Sequence, residues 1–319
     1  MITPSPFSQI IGQAYAVTML EKALQSKRLA HAYLFYGPEG VGKALTARAL
    51  AKALNCEEQY CLPDRPCSSC RKIEAGLHSD VEEIKPEGSF ILISQIREIR
   101  SRAAFKPLGR EKRVFIIPEA ERMTTEAANA FLVTLEEPPS ETIIILMTRD
   151  YEAVLPTISS RCQGLRFSPL PYQAQEKVLL QWETAPEAIP SLIHLSGGSL
   201  GRAKQYLAED LLEKEQMVVG WLNHILSDGP SAVFSLSAEL PSSRDEVCDL
   251  LDLFELNLRR RLIGQIEGKP GSNERTRIGP GRLEKLIELI EETKRLIKGS
   301  VNLQLAVEVM GLKVIELAS

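Results

Sequence analysis

Four cysteines, Cys56, Cys61, Cys67 and Cys70, fall within fifteen residues of this 319-residue chain. Four thiolates are enough for a tetrahedral, closed zinc site of the structural kind, with no open position for catalysis. Cys67-Ser-Ser-Cys70 has the spacing of a metal knuckle. In a reducing compartment such a cluster reads as metal binding before disulfide. Four unliganded thiols are the competing reading. His78 is a reserve ligand by type, although a local hydrogen bond is the plainer expectation. Of the two remaining cysteines, Cys248 reads as core, and Cys162 has no cysteine near it in sequence.

Just upstream, Gly37-Pro-Glu-Gly40-Val-Gly42-Lys43 matches the phosphate-loop pattern G-x-x-x-x-G-K. Glycines let backbone N–H groups curl around phosphate oxygens, and Lys43 adds a point charge. The pattern normally continues with a Ser or Thr hydroxyl that holds magnesium. Here Ala44 follows. Thr46 is no replacement, because two helical residues turn its side chain by roughly 200°. A second deficit follows the apolar run VFII, where a metal-orienting aspartate is expected and Pro118 stands, before Glu119, Ala120 and Glu121. Two losses on the metal describe a site that has given up hydrolysis. Such a site can still hold ATP or ADP through backbone amides and Lys43, with weakened metal affinity.

These residues need a scaffold, and the apolar pattern supplies one. AYLFY (32–36), RVFII (113–117), TIIILM (142–147) and GLRF (164–167) read as buried strands. Helix patterns over 43–54, 92–104 and 124–136 lie between them. The first carries Leu45, Ala49, Leu50, Ala53 and Leu54 on one broad face, and Thr124 or Thr125 can cap the third. Alternating strands and helices predict an α/β fold with a parallel sheet, its phosphate loop opening a helix at a strand's C-terminal end. After Pro169 the pattern turns helical. The turn HLSGGSLGRA (194–203) falls in a small helical unit that ends near residue 208. Stripes at Val247, Leu250, Leu251, Phe254 and Leu258, then at Leu283, Leu286, Ile287 and Ile290, then at Leu303, Ala306, Val307 and Met310 predict an all-α end. A polar Gly/Pro loop spans 267–281. The expected parts are an α/β domain over 1–168 with a cysteine insertion at about 56–80, a helical lid over 169–208 and a helical domain over 209–319.

Composition excludes several classes. Hydrophobic residues make up 44% and charged residues 25%, and the net charge is −4. No global field drives the chain onto nucleic acid, so any DNA contact must be local. A stand-alone zinc-stabilised DNA-binding module is disfavoured for the same reason. The N-terminus lacks a signal-peptide pattern, and Ile143–Met147 is too short to span a bilayer, so the cytoplasm is the expected location and no membrane contact is expected. Arg97, Arg100, Arg102, Lys106, Arg110, Lys112 and Arg113 form a basic stretch. It reads as a solvated face in preference to a phosphate contact. Arg161, in Ser160-Arg161-Cys162, is by position either a surface charge or an arginine finger that reaches a neighbouring subunit.

Several of these motifs together resemble the bacterial clamp-loader subunits of DNA polymerase III, members of the AAA+ class. They are FSQIIGQ (7–13), RLAHAYLF (28–35), the phosphate loop, the cysteine cluster, AANAFLVTLEEPP (127–139) and LPTISSRCQ (155–163). The likeness covers roughly residues 5–205 and is strongest to the delta-prime branch; the gamma/tau motor branch shares the layout. It implies that Ser160-Arg161-Cys162 is the trans-acting triplet, with Arg161 completing a neighbour's ATP site. It also implies a structural zinc and a helical collar (209–319) that joins a hetero-oligomeric ring. The partners it implies are gamma/tau and delta subunits, with the sliding clamp and primer-template DNA reached through the complex. Gly201 stands where active relatives carry a nucleotide-sensing arginine, and Val133 where the family more often has lysine. Asp64 takes a usual cysteine position, so Cys61 is expected to supply that ligand. The alternative is an active gamma/tau-type motor subunit, against which Ala44 and Pro118 argue.

Overall fold

A computed structural model describes residues 5–58, 60–61, 65–103, 105, 107, 112–208, 211–266, 278–299 and 301–318. These form two compact units, one of residues 1–178 with 197–202, the other of 179–196 with 203–319. Asp64, Lys106, Arg110 and positions 267–277 of the polar loop lie outside the described residues.

The first unit is built on five parallel strands, β1 (Ala32–Tyr36), β2 (Val81–Glu83), β3 (Arg113–Ile117), β4 (Thr142–Thr148) and β5 (Gln163–Arg166), in the order β2-β3-β4-β1-β5. Period-two alternation sends successive side chains to opposite faces. Tyr33, Phe35, Val114, Ile116, Ile143, Ile145 and Met147 enter one apolar layer. Leu34, Phe115, Ile117, Ile144 and Leu146 enter the other. Both faces of the central strands β1, β3 and β4 are therefore covered, which is why those three are mostly apolar. Helices α1 (Ala14–Gln25), α2 (Lys43–Asn55) and α3 (Ser68–Glu74) cover the first layer. Helices α4 (Ile93–Ala103), α5 (Thr125–Glu136) and α6 (Pro156–Ser159) cover the second.

The expected strands and helices of this unit are present, with three differences. β2 carried no signal because it has only three residues at the sheet edge. β5 begins one residue earlier than GLRF. The buried face of α2 is Thr46, Ala47, Leu50, Ala51 and Leu54, whereas Leu45 is exposed. The helix is small-residue rich, and Ala47 and Ala51 let it lie close against the sheet, so contact geometry, not hydropathy, sets its rotation. Thr124 caps α5, its Oγ1 accepting from the Ala127 N–H at 3.2 Å.

Helix α7 (Tyr172–Gln181) runs from the first unit into the second. The second unit continues with α8 (Ile189–Ser196), α9 (Leu200–Ala208), α10 (Leu211–Asp228), α11 (Pro230–Ala238), α12 (Arg244–Ile266), α13 (Pro280–Lys298) and α14 (Leu303–Ala318); the first turn of α9 counts with the first unit. The predicted stripes on α12 and α13 are buried in one apolar core with Ala306, Met310 and Val314 of α14. Cys248 is buried there, as its apolar neighbours require. Among the described residues, no helix is long and apolar enough to cross a membrane.

The Thr124 cap satisfies one of the free N–H groups of α5. Thr124→Ala is expected to destabilise the α/β unit by about 1 kcal/mol, read as a lower denaturant midpoint at unchanged slope.

Candidate functional site

Parallel strands end on one edge of the sheet, and that edge gathers the loop after β1, the turn after β3 and the residues after β4. Gly37, Gly40 and Gly42 all have positive φ (143°, 69° and 108°), which L side chains rarely adopt. Gly42 then starts α2. Gln13 holds this loop from the side. Its buried amide donates to Val41 O at 3.1 Å and Ser168 O at 2.7 Å, and its carbonyl accepts from the Ser168 N–H at 3.1 Å. Sequence reasoning had Gln13 only as one letter of a family motif. A buried amide that satisfies three backbone groups is not visible from spacing.

Lys43 is folded onto its own loop. Its ammonium donates to Gly37 O and, at 2.6 Å, to Pro38 O. Burial pulls it down to about 8, the Glu121 and Glu39 carboxylates pull it back up, and Arg149 adds to the drop. Gly40 O accepts from the Gly201 N–H at 3.1 Å. A Cβ on Gly201 would come 2.8 Å from Gly40 Cα, and one on Gly40 would come 2.1 Å from Ser199 Oγ. Two backbones touch here, so the start of α9 lies directly on the phosphate loop. Ser199 caps that helix through the Arg202 N–H at 3.1 Å.

The positions where the pattern expects metal ligands carry Ala44 and Pro118. Ala44 is exposed at the start of α2, and Thr46 is buried with its hydroxyl donating to Gly42 O at 2.9 Å. Pro118 ends β3 without a side-chain ligand atom. Glu119 has φ 55° and pairs with Arg122 at 2.8 Å. Glu121 has one buried carboxylate oxygen without a hydrogen bond and acts electrostatically on Lys43.

The four cysteines converge. Their Sγ atoms all lie within 4.8 Å of one another, with Cys56–Cys61 at 3.4 Å and Cys56–Cys67 at 4.0 Å. Sulfurs 2.3 Å from a tetrahedral zinc stand about 3.8 Å apart, so this donor set fits zinc. Cys67 caps α3. Backbone N–H groups support the sulfurs: Cys67 N–H donates to Cys61 Sγ at 3.2 Å and Cys70 N–H to Cys67 Sγ at 3.4 Å. Burial pushes the Cys67 thiol up, but the Cys70 N–H and neighbouring groups outweigh it and bring the thiol to about 7. His78 takes no part. Its Nδ1 accepts from the Asp80 N–H and its Nε2 bonds Ser69 Oγ, both at 3.1 Å.

Arg161 follows α6. Its Nη1 donates to Thr157 O at 3.0 Å and Ser160 Oγ at 3.4 Å, and its Nη2 to Glu136 Oε1 at 2.6 Å. Both charged side chains remain open to solvent, 37% and 51% exposed. Glu136 was not singled out from sequence, because it is 25 residues away and only the packing of α5 beside α6 joins them. The described part of the basic stretch is largely neutralised. Arg102 pairs with Glu82 and Glu98, and Lys112 with Glu141. Arg113 is a correction to a solvated basic face: it is buried and paired with Asp80 at 2.9 Å, because β3 carries it into the sheet edge beside β2. Arg97 and Arg100 remain exposed on α4.

Two outcomes follow from this geometry. Gly201→Ala is expected to destabilise the α/β unit by about 1–3 kcal/mol, because the obstructing atom is backbone and cannot turn aside; thermal or denaturant unfolding reads it. Purified chain is expected to carry one zinc by atomic emission, and Cys67→Ser to carry none. Chelation of the wild type is expected to lower its melting temperature.

The family described as "DNA polymerase III, delta subunit" matches over residues 12–171. The delta' subunit of DNA polymerase III from Bacillus subtilis is 36% identical over 58% of this chain and 56% of its own length. The tau subunit from the same organism is 40% identical over 54% of this chain and 30% of its own length. The chain thus spans little more than half of the first relative and under a third of the second. Among solved structures, a gamma-subunit-related protein of DNA polymerase III from Thermotoga maritima shares the fold at a TM-score of 0.52 and 21% identity, covering 94% of this chain and 99% of that one. A parallel-sheet unit with its phosphate loop at the strand ends, matched over 12–171, makes this chain a member of the DNA polymerase III delta subunit family.

Proposed function

We propose that this chain is a delta-prime-type subunit of a DNA polymerase III clamp loader and helps place the sliding clamp on primed DNA. The observation that carries the reading is a contrast between two sites on one domain. The phosphate loop keeps Gly37, Gly40, Gly42 and Lys43 but has lost the ligands at Ala44 and Pro118, and the backbone of Gly201 rests on it. Arg161, by contrast, is exposed and held by two acceptors. A domain with a bare metal site of its own and a presented guanidinium is suited to complete a neighbour's site. There Arg161, carried by the Ser160-Arg161-Cys162 triplet, stabilises charge on the phosphoryl group while water displaces it from the nucleotide. The chain's own loop holds ATP or ADP without hydrolysis.

The rest of the molecule follows from that role. Cys56, Cys61, Cys67 and Cys70 hold a structural zinc that staples the insertion at about 56–80. Residues 1–168 form the AAA+ domain, 169–208 the lid and 209–319 the collar of a hetero-oligomeric ring. Its neighbours are gamma/tau and delta subunits, and the complex works in the cytoplasm on the clamp and primer-template DNA. A second reading, an active gamma/tau-type motor, has support in the 40% identity to a tau subunit. It requires metal-dependent ATP turnover by the isolated chain.

In a reconstituted complex, Arg161→Ala is expected to lower turnover at the neighbouring ATP site by about 10³-fold while assembly by sizing is unchanged. Unchanged clamp- and DNA-stimulated turnover would make Arg161 a surface residue and the reading wrong. Metal-dependent hydrolysis by the isolated chain would favour the motor.

A further inference from the structure

We infer that Glu136 is a positioning residue for Arg161: its carboxylate holds the guanidinium in the attitude in which it meets a triphosphate bound by a neighbouring subunit. The inference rests on the trans-acting reading of Arg161 above.

A long arginine on a surface samples many rotamers, and a guanidinium in trans must arrive with its donors already aimed. Here two nitrogens are held from two separate elements. Nη1 reaches back to the Thr157 carbonyl within α6, and Nη2 reaches across to Glu136 Oε1 at 2.6 Å. Among the described residues no acceptor reaches Nε, so the fork keeps donors for a phosphate oxygen.

Both anchors belong to helices packed into the core. Glu136 is the last residue of α5, which is capped by Thr124 and buried through Ala127, Ala128, Phe131 and Leu135. α6 starts with Pro156 at its first turn and is buried through Ile158. A site on packed helices keeps its geometry better than one on loops. Both side chains are exposed, so the pair contributes little to folding. Glu136 touches neither nucleotide nor reacting atoms, and its effect passes through Arg161.

The test uses the reconstituted clamp loader and steady-state ATP turnover with clamp and primed DNA. The variants are Arg161→Ala, Glu136→Ala, Glu136→Gln, Glu136→Asp and the double Glu136→Ala/Arg161→Ala. Glu136→Ala is expected to lower kcat at the affected site by about 10- to 100-fold with KM for ATP unchanged. Glu136→Asp should recover part of the loss, and the double variant should be no slower than Arg161→Ala alone. Glu136→Gln keeps an acceptor oxygen and replaces alanine in the comparison if alanine disturbs assembly. If Arg161→Ala slows turnover and the Glu136 variants do not, the positioning role is overturned and the trans-acting arginine stands. If Arg161→Ala has no effect, the underlying reading falls and the inference with it. A double variant slower than Arg161→Ala would mean that Glu136 acts elsewhere, which also overturns it.

Discussion

One hydrogen bond, from the Gly201 N–H to Gly40 O, decides how the phosphate loop is built. At 3.1 Å between nitrogen and oxygen it brings two stretches of main chain into contact, and neither side has room for a Cβ. The constraint accounts for several residues together. Gly40 must be glycine both for its positive φ and for Ser199, and Gly201 must be glycine for Gly40. Position 201 cannot carry an arginine while this contact stands. The absence of a long side chain there is thus a packing requirement.

The parallel sheet supplies the second constraint. With both faces of the central strands covered, few polar groups lie along them, and the loops at the strand ends carry most of the polar groups of the candidate site. The ends of β1, β3 and β4 place Glu121 and Arg149 near enough for their charges to act on Lys43. Backbone curvature and charge remain at that edge, with Ala44 at the start of α2 and Pro118 after β3. Lys43 is accordingly satisfied by its own loop carbonyls, and Glu119 by Arg122.

Charge elsewhere divides by whether it is neutralised locally. Arg102, Lys112 and Arg113 sit against carboxylates, and Arg113 is buried with its partner. Arg161 has a partner too, and like the Arg102 pairs it lies open to solvent. A buried pair of the Arg113–Asp80 kind ties strands together. The Arg161–Glu136 pair instead joins α5 to the turn after α6 at the surface.

Much of this was legible from residue order, because the signals are local. Short apolar strand runs, the glycines before Lys43, the Thr124 cap and the cysteine spacing each depend on neighbours a few positions apart, and each is present as expected. Sequence by itself determined the α/β character, the location of the phosphate loop after β1 and the residue types Ala44 and Pro118 beside it. Tertiary structure alone decided what lies against these residues. The rotation of α2, the burial of Arg113, the grip of Gln13 on Val41, the seat of Gly201 on Gly40 and the reach of Glu136 to Arg161 join positions between 25 and 161 residues apart or turn on how a helix meets the sheet. Such contacts follow from packing density and backbone approach, which no local pattern encodes.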